Sequence, residues 1–236
     1  MPVHGFAELT WEPLQSGLMN TRQVIPKSDD TRRIAFQAVR INLHQFELKI
    51  VRPAKGKAAS VATMLERTKA LAGINGSFFF EDLSPMGLLI SEGLQSNDLR
   101  KVDWGVFFVE KTKKRARLIH TRKWKNGQGV EFAIQTGPRL VVDGKPLTFR
   151  DNMARRSALC VIDDHTVVML ATENAVLMRD LAVFLSQPVA MGGMGCRHAL
   201  NLDGGSSTHL VIREPGGLPG VSGFDYVPVG IGIFSR

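Results

Sequence analysis

The chain has 236 residues and a formal net charge of +8, because 30 lysines and arginines stand against 22 aspartates and glutamates. This length favours one large domain, and 44% apolar with 22% charged residues is typical of an ordinary globular protein. The absence of any run of about 18 apolar residues excludes a membrane-spanning helix, and no signal peptide is recognisable at the start. The positive charge favours anionic partners such as phosphates, although solubility alone would also explain it.

The first half of the chain is predicted to be strand-rich. Residues 1 to about 30 show no clear periodicity, so we treat 1–33 as an N-terminal extension packed on a single domain that spans 34–236. Two strands follow from Ile34 to Pro53, and a helix that Ser60 caps and Gly73 ends comes next.

The remaining elements are short apolar strands separated by turns, with one amphipathic helix over 176–187. Strands outnumber helices, and the helices are not regularly interleaved with them, which argues against a doubly wound parallel sheet. We therefore expect an α+β fold with a mixed, largely antiparallel β-sheet core and a few flanking helices.

The two cysteines and the common catalytic templates give little guidance. Cys160 and Cys196 form neither a CxxC pair nor a zinc cluster, so they are either one disulfide or two buried thiols. The sequence contains no Walker loop, no GxGxxG after a strand, no HExxH and no GxSxG.

The segment ALNLDGGSSTHL, residues 199–210, carries more polar groups than a hairpin needs. Asp203 ends an apolar run, and Gly204 and Gly205 allow backbone N–H groups to converge into an anion-binding nest. Ser206 adds a further donor. The alternative is an ordinary Asp-Gly turn capped by its serines. His198 and His209 flank this segment, and one of them could face the same site.

Two further segments end strand-like runs with polar groups. Asn75, Gly76 and Ser77 precede a run of phenylalanines, and Arg156 precedes an apolar strand. The arginine fork fits phosphate in a bidentate manner. Taken singly, the first segment also fits a core strand with a turn, and Arg156 also fits a solvated or ion-paired residue.

Four segments, in this order, resemble the phosphodiester glycosidase family: GINGSFF (73–79), QTGPRLVVDGK (135–145), RRSALCVID (155–163) and ALNLDGGSST (199–208). The resemblance covers roughly 34–234 and implies hydrolysis of a glycosyl phosphodiester to a sugar and a phosphomonoester. The matching positions are Asn75, Gly76, Phe78, Thr136, Gly137, Pro138, Arg156, Asn201, Asp203, Gly204, Gly205 and Ser206. The chain departs at Ser157, where the family usually has threonine, and at Cys160, where it often has glycine.

We assign roles from the chemistry that this reaction requires. Glycosidases generally use two carboxylates, whereas a phosphate leaving group needs its charge stabilised more than it needs a proton. Asp203 is assigned to the sugar, Arg156 with the Gly204–Gly205 nest to the phosphate, and Glu173 to the second carboxylate, ahead of Glu81 and Asp82. The predicted substrate-binding set is Asn75, Gly76, Ser77, Thr136, Gly137, Asn201, Gly204, Gly205 and Ser206. No cofactor is required, and a divalent cation bound by Asp203 and a second acid stays open.

Two other classes of function compete with this prediction. A non-catalytic module would bind a sugar phosphate or an envelope glycan without cleaving it. A nucleic-acid binder would explain the charge, but one tyrosine, three tryptophans and no nucleic-acid motif argue against it. The family resemblance favours a bacterial protein working in the periplasm or outside the cell, and the lack of a visible signal peptide leaves the cytoplasm open.

Overall fold

The structure is a computed structural model that describes residues 9–26, 33–213 and 220–236. These ranges contain two α-helices, α1 (Val61–Thr68) and α2 (Met178–Ser186). The strands are β1 (Glu12–Gln15), β2 (Leu18–Ile25), β3 (Ile34–Asn42), β4 (Phe46–Val51), β5 (Ala72–Asn75), β6 (Leu89–Ser91), β7 (Leu94–Asn97), β8 (Gly105–Glu110), β9 (Ala116–His120), β10 (Val130–Thr136), β11 (Arg139–Val142), β12 (Lys145–Pro146), β13 (Met153–Ala154), β14 (Ser157–Val161), β15 (Thr166–Thr172), β16 (Val176–Leu177), β17 (His198–Asn201), β18 (Leu210–Ile212) and β19 (Gly230–Ser235).

The strands form four sheets. The largest has the order β1-β2-β3-β15-β14-β17-β11-β12, and a five-stranded sheet has the order β7-β6-β10-β8-β9. A four-stranded sheet has the order β18-β5-β19-β4, and β13 pairs with β16. Every pairing between these described strands is antiparallel. The α+β prediction therefore holds in its broad form, but the fold is mainly β, and the described sheets are not mixed.

The eight-stranded sheet is buried on both faces, and the alternation along β15 shows this directly. Val167, Met169 and Ala171 point into a core shared with the four- and five-stranded sheets. Val168 and Leu170 point the opposite way, into a core shared with α2. Because successive side chains of a strand face opposite sides, a continuous apolar run is what a doubly covered strand requires.

The N-terminal part of the described chain contributes strands that the sequence did not predict. The β1–β2 hairpin extends the eight-stranded sheet, and β2 pairs with β3 from Leu18 to Ile25. Leu18 is buried in the main core, whereas Arg22 and Val24 are exposed. Buried and exposed side chains do not alternate regularly along β2, which explains why the sequence pattern was missed. The predicted connector at 27–32 lies outside the described residues.

The first helix confirms its predicted start but not its predicted end. Ser60 caps α1, and its hydroxyl accepts a hydrogen bond from the Thr63 N–H at 3.2 Å. The helix stops at Thr68 because Lys69 adopts a left-handed conformation with φ of 60°. Gly73 lies inside β5 instead, where a Cβ would come within 2.7 Å of the Ile231 carbonyl oxygen.

Cys160 and Cys196 form a disulfide, which resolves the two alternatives left by the sequence. The bond links β14 to the segment that leads into β17, two neighbours in the eight-stranded sheet. No helix in the described ranges has the length and apolar character needed to cross a membrane.

Several strand ends meet at one edge of the molecule. Asn75 at the end of β5 pairs with Gly230 at the start of β19. Asn201 at the end of β17 pairs with Ala158 near the start of β14. Thr136, at the end of β10, leads through a cis Gly137–Pro138 peptide into β11. The polar segments singled out from the sequence all lie at these ends.

Candidate active site

The side chain of Asn75 ties the strand ends together. Its Nδ2 donates to the Asp203 carbonyl oxygen at 2.7 Å. Its Oδ1 accepts from the Ser157 hydroxyl at 2.6 Å and from the His209 backbone N–H at 3.0 Å. Asn75 is fully buried, so its amide holds the Asp203 turn against β14 and the start of β18. The structure thus gives Asn75 a positioning role, and its predicted contact with substrate stays a prediction.

Asp203 is half-buried, and its carboxylate is held within its own turn. The Asp203 N–H donates to the Gly76 carbonyl oxygen at 3.1 Å, and Oδ1 accepts from the Gly204 N–H at 2.9 Å. Burial raises the pKa of Asp203, hydrogen bonds from Ser207 and Gly204 oppose that rise, and the negative charge of Asp225 adds to it. Asp203 therefore keeps its proton to a higher pH than an exposed aspartate does.

Asp225 is the second acid of this site, and the sequence reasoning missed it. Its carboxylate accepts a hydrogen bond from the Ser206 hydroxyl, and its backbone N–H donates to the Ser206 carbonyl oxygen at 3.1 Å. Ser206 and Ser207 belong to one 3₁₀ turn, Gly205–Ser207, so consecutive serines contact the two acids. No spacing rule links Asp225 to Asp203, because the contact forms only when the C-terminal segment folds back.

His209 fixes the segment that carries Asp225. Its Nδ1 accepts from the Gly223 N–H at 3.0 Å, so Nε2 carries the proton and donates to the Asp225 carbonyl oxygen at 2.9 Å. Burial lowers the pKa of His209, which favours this neutral form. His198 lies at the other end of β17, where Nδ1 accepts from the Asp143 N–H. Of the two histidines, it is His209 that contacts the acid pair.

The two glycines of the turn do not form the predicted anion nest. The Gly204 N–H donates to Asp203, and the Gly205 N–H donates to the Arg155 carbonyl oxygen at 2.8 Å. A Cβ on Gly204 would lie 2.8 Å from that same carbonyl oxygen, and Gly205 has a φ of 61°. The glycines are therefore needed for close backbone approach and for a left-handed turn, and their amides are already used inside the protein.

Arg156 lies beside this turn and is only 6% exposed. One Nη atom donates to the Asn152 carbonyl oxygen at 2.7 Å, and the backbone N–H donates to the Thr172 hydroxyl at 2.8 Å. Its Nε is buried without a partner, and burial lowers the pKa of the guanidinium. A buried cation with an unused donor is suited to bind an anionic ligand.

Buried polar atoms that lack a partner are concentrated around this edge. Five of the eight such side-chain atoms in the described ranges are Ser77 Oγ, Thr136 Oγ1, Arg156 Nε, Asn201 Oδ1 and Thr208 Oγ1. Native proteins pair nearly all buried polar groups, so each exception needs an explanation, such as a ligand or a bound water. The clustering marks this edge as the candidate active site.

Two aromatic rings, Phe78 and Trp104, border these polar groups. The sequence did not predict that they lie together. The Phe78 and Trp104 rings lie with their centroids 5.2 Å apart, and both are half-buried. Gly137 packs against Trp104, where a Cβ would come within 2.6 Å of the ring, and the Gly137 carbonyl oxygen accepts from Asn201 Nδ2 at 3.0 Å. Thr136, Gly137 and Asn201 are thereby joined to the aromatic pair.

The acids proposed from the sequence as the second carboxylate have other contacts. Glu173 forms two hydrogen bonds with Arg22 of β2, at 2.5 and 3.0 Å. Asp82 accepts from the Ser84 N–H and hydroxyl, which lowers its pKa, and Glu81 is exposed. The catalytic role of Glu173 stays a prediction, and the structure supplies a competing structural role. In the described part of the chain, no three histidine, cysteine, aspartate or glutamate side chains are grouped so that they could hold a metal ion.

Comparisons with known proteins identify the family and the fold. The family model described as phosphodiester glycosidase matches residues 68–234, and no curated protein matches the chain. The catalytic domain of zebrafish N-acetylglucosamine-1-phosphodiester alpha-N-acetylglucosaminidase, auto-inhibited by its pro-peptide, is similar with a TM-score of 0.74 and 15% identity. That match covers 98% of this chain and 87% of the zebrafish chain.

Two further solved structures share the fold. A hypothetical protein from Synechocystis has a TM-score of 0.64 and 15% identity, and the match covers 98% of this chain but only 64% of that one. A Burkholderia pseudomallei protein described as exported has a TM-score of 0.58 and 12% identity, over 87% of this chain and 75% of that one. At these identities the three structures show a common fold alone. The family model, which spans well over half of the sequence, establishes that the chain belongs to the phosphodiester glycosidase family.

Proposed function

We propose that the protein hydrolyses a glycosyl phosphodiester. Water adds its oxygen to the anomeric carbon, the bond from that carbon to the phosphate oxygen breaks, and the electron pair leaves with the phosphomonoester. One proton of the water passes to a carboxylate. The observation that carries the proposal is the pair of acids, Asp203 and Asp225, held by consecutive serines beside buried polar atoms without partners.

The two acids divide the work on the sugar side. A phosphomonoester is a good leaving group, so it can depart without a proton from either acid. Asp203, whose pKa is raised by burial, is suited to act as the base and takes the proton from water. Asp225 stabilises the positive charge that develops at the anomeric carbon. This assignment replaces Glu173 with Asp225 as the second carboxylate.

The buried guanidinium of Arg156 is proposed to hold the scissile phosphate. The Gly204 and Gly205 amides already donate hydrogen bonds within the protein. Arg156 is therefore the group that stabilises the negative charge of the leaving phosphate. The half-buried Phe78 and Trp104 rings provide an apolar surface suited to the face of a sugar ring.

The site of action is proposed to be an oxidising compartment, either the bacterial periplasm or the exterior. Disulfides persist mainly in such compartments, and the Cys160–Cys196 bond supports this assignment. The substrate would then be a sugar phosphodiester or an envelope glycan found there.

The test is a screen of purified protein against glycosyl phosphodiesters, with released sugar as the readout. We expect turnover that Asp203→Asn lowers by about a thousandfold or more. Arg156→Lys should raise KM, because an ammonium cannot form the bidentate fork. If the unmodified protein binds these esters without cleaving any, and the Asp203→Asn variant binds them equally well, the chain is a glycan-binding module instead.

A further inference from the structure

A cavity of about 530 Å³ is lined by none of the residues of the candidate active site, and the catalytic proposal does not use it. Its lining includes Arg52, Lys55, Lys57, Asp82, Ser84 and Pro228. We call it the cationic cavity. Ligand pockets for small molecules commonly enclose about 300–1,000 Å³, so it is large enough for a phosphorylated group.

The backbone connects this cavity to the acid pair. Pro228 lines the cavity, and the next residue, Val229, accepts a hydrogen bond from the Gly76 N–H at 2.9 Å. Gly76 in turn accepts from the N–H of Asp203. Asp225 precedes Pro228 by three residues, a span of at most about 11 Å for an extended chain. The cationic cavity and the two acids therefore lie at the same end of the four-stranded sheet, where β4 and β5 end and β19 begins.

The basic wall is anchored to the segment that carries Asp225. Ala59 and Val227 exchange backbone hydrogen bonds at 3.1 and 2.9 Å, which fastens the end of the 52–57 loop to that segment. The opposite wall, residues 82–85, belongs to the loop that follows Ser77. Hydrogen bonds from the Phe80 N–H to the Ser84 carbonyl oxygen and from the Met86 N–H to the Phe78 carbonyl oxygen close this loop. Both walls are thus connected to elements of the active site.

The charges of the lining favour an anion. Arg52, Lys55 and Lys57 supply three positive charges, and no described residue pairs with their side chains through a hydrogen bond or an ion pair. Asp82 supplies one negative charge, but its carboxylate is engaged by the Ser84 N–H at 2.9 Å and by the Ser84 hydroxyl. The excess of unpaired cations raises the local concentration of anionic groups.

We propose that the cationic cavity is the subsite for the group on the far side of the scissile phosphate, and that it selects groups bearing an additional phosphate. This inference rests on the proposed function, because only that function places the second alcohol of the ester in the cavity. The binding of a phosphate in the cavity does not depend on the proposed function. The chain is thereby expected to act on polyphosphorylated glycosyl esters in preference to esters of neutral alcohols.

The kinetic test compares two diesters of one sugar 1-phosphate, with glycerol or glycerol 3-phosphate as the second alcohol. We expect kcat/KM to be about tenfold or more higher for the phosphorylated ester, because one additional hydrogen bond to a charged group strengthens binding by at least that factor. The variant Arg52→Ala/Lys55→Ala/Lys57→Ala should lose this preference. The matched variant Lys111→Ala/Lys113→Ala/Lys125→Ala removes three exposed charges elsewhere and should keep it. Equal kcat/KM values for the two esters in the unmodified protein would overturn the proposal.

A binding test separates this inference from the proposed function. Inorganic pyrophosphate is titrated calorimetrically into the unmodified protein, both triple variants and Asp82→Asn. Binding that the cavity variant loses, the matched variant keeps and Asp82→Asn strengthens supports the subsite even if no ester is cleaved. Binding that both triple variants weaken equally, or no binding at all, would contradict it, whatever the hydrolysis assay shows.

Discussion

Replacing Asp225 by asparagine separates its chemical role from its structural one. Asparagine keeps the volume, the backbone hydrogen bonds to Ser206 and from His209, and an oxygen that can accept from the Ser206 hydroxyl. The hydrogen bond from the Ser206 hydroxyl then has a neutral acceptor in place of a charged one, which should lower the free energy of unfolding by about 1 kcal/mol. For a chain of this length, that corresponds to a melting temperature lower by about 2–4 °C.

The effect on catalysis should be much larger. Asp225 is proposed to stabilise the developing positive charge, and removing one such electrostatic group costs about 10²–10³-fold in kcat, or about 3–4 kcal/mol of barrier. A second readout follows from electrostatics, because the Asp225 charge raises the pKa of Asp203. Asp225→Asn should therefore lower the pKa of Asp203 and move the acidic limb of the kcat/KM profile to lower pH.

The matched control is Glu173→Gln, at the acid that the sequence favoured. It removes a partly exposed ion pair with Arg22, which should cost at most about 1 kcal/mol of stability and leave turnover near normal. Steady-state kinetics against pH, with melting curves for both variants, decide between the two acids. Normal turnover and an unshifted profile for Asp225→Asn, together with a collapse for Glu173→Gln, would refute the assignment made from the structure.

Three further predictions concern stability. Because burial raises the pKa of Asp203, its contribution to stability is complete below pH 3.8 and declines as pH rises through the raised pKa. The melting temperature of Asp203→Asn relative to the unmodified protein should therefore increase over that pH range, and a constant difference would contradict this. Cys160→Ser/Cys196→Ser should lower the free energy of unfolding by about 4 kcal/mol, the chain-entropy value for a separation of 36 residues, as urea titration can measure; an unchanged midpoint would show that the bond adds nothing. Gly204→Ala should cost about 1–3 kcal/mol in the same titration, because its Cβ would press on the Arg155 carbonyl oxygen, and an equally stable variant would show that the turn adjusts freely.

The sequence alone determined the features that depend on local backbone chemistry. Ser60 was recognised as a cap because its hydroxyl bonds to an N–H within the next turn of the chain. The strand ends at Asn75, Thr136 and Asn201 were recognisable because apolar runs stop there and glycine or polar residues follow. The ordered motifs sufficed to predict the family, and the family model agrees.

Hydrogen bonds between distant parts of the chain decided the composition of the candidate site. The Gly205 amide is engaged by the Arg155 carbonyl oxygen, 50 residues earlier in the chain, and Glu173 is engaged by Arg22 of β2, a strand without a readable pattern. Asp225 gave no signal of its own. Residues far apart in the chain become neighbours only when the sheets pack, and packing then determines which donors and charges remain available for a substrate.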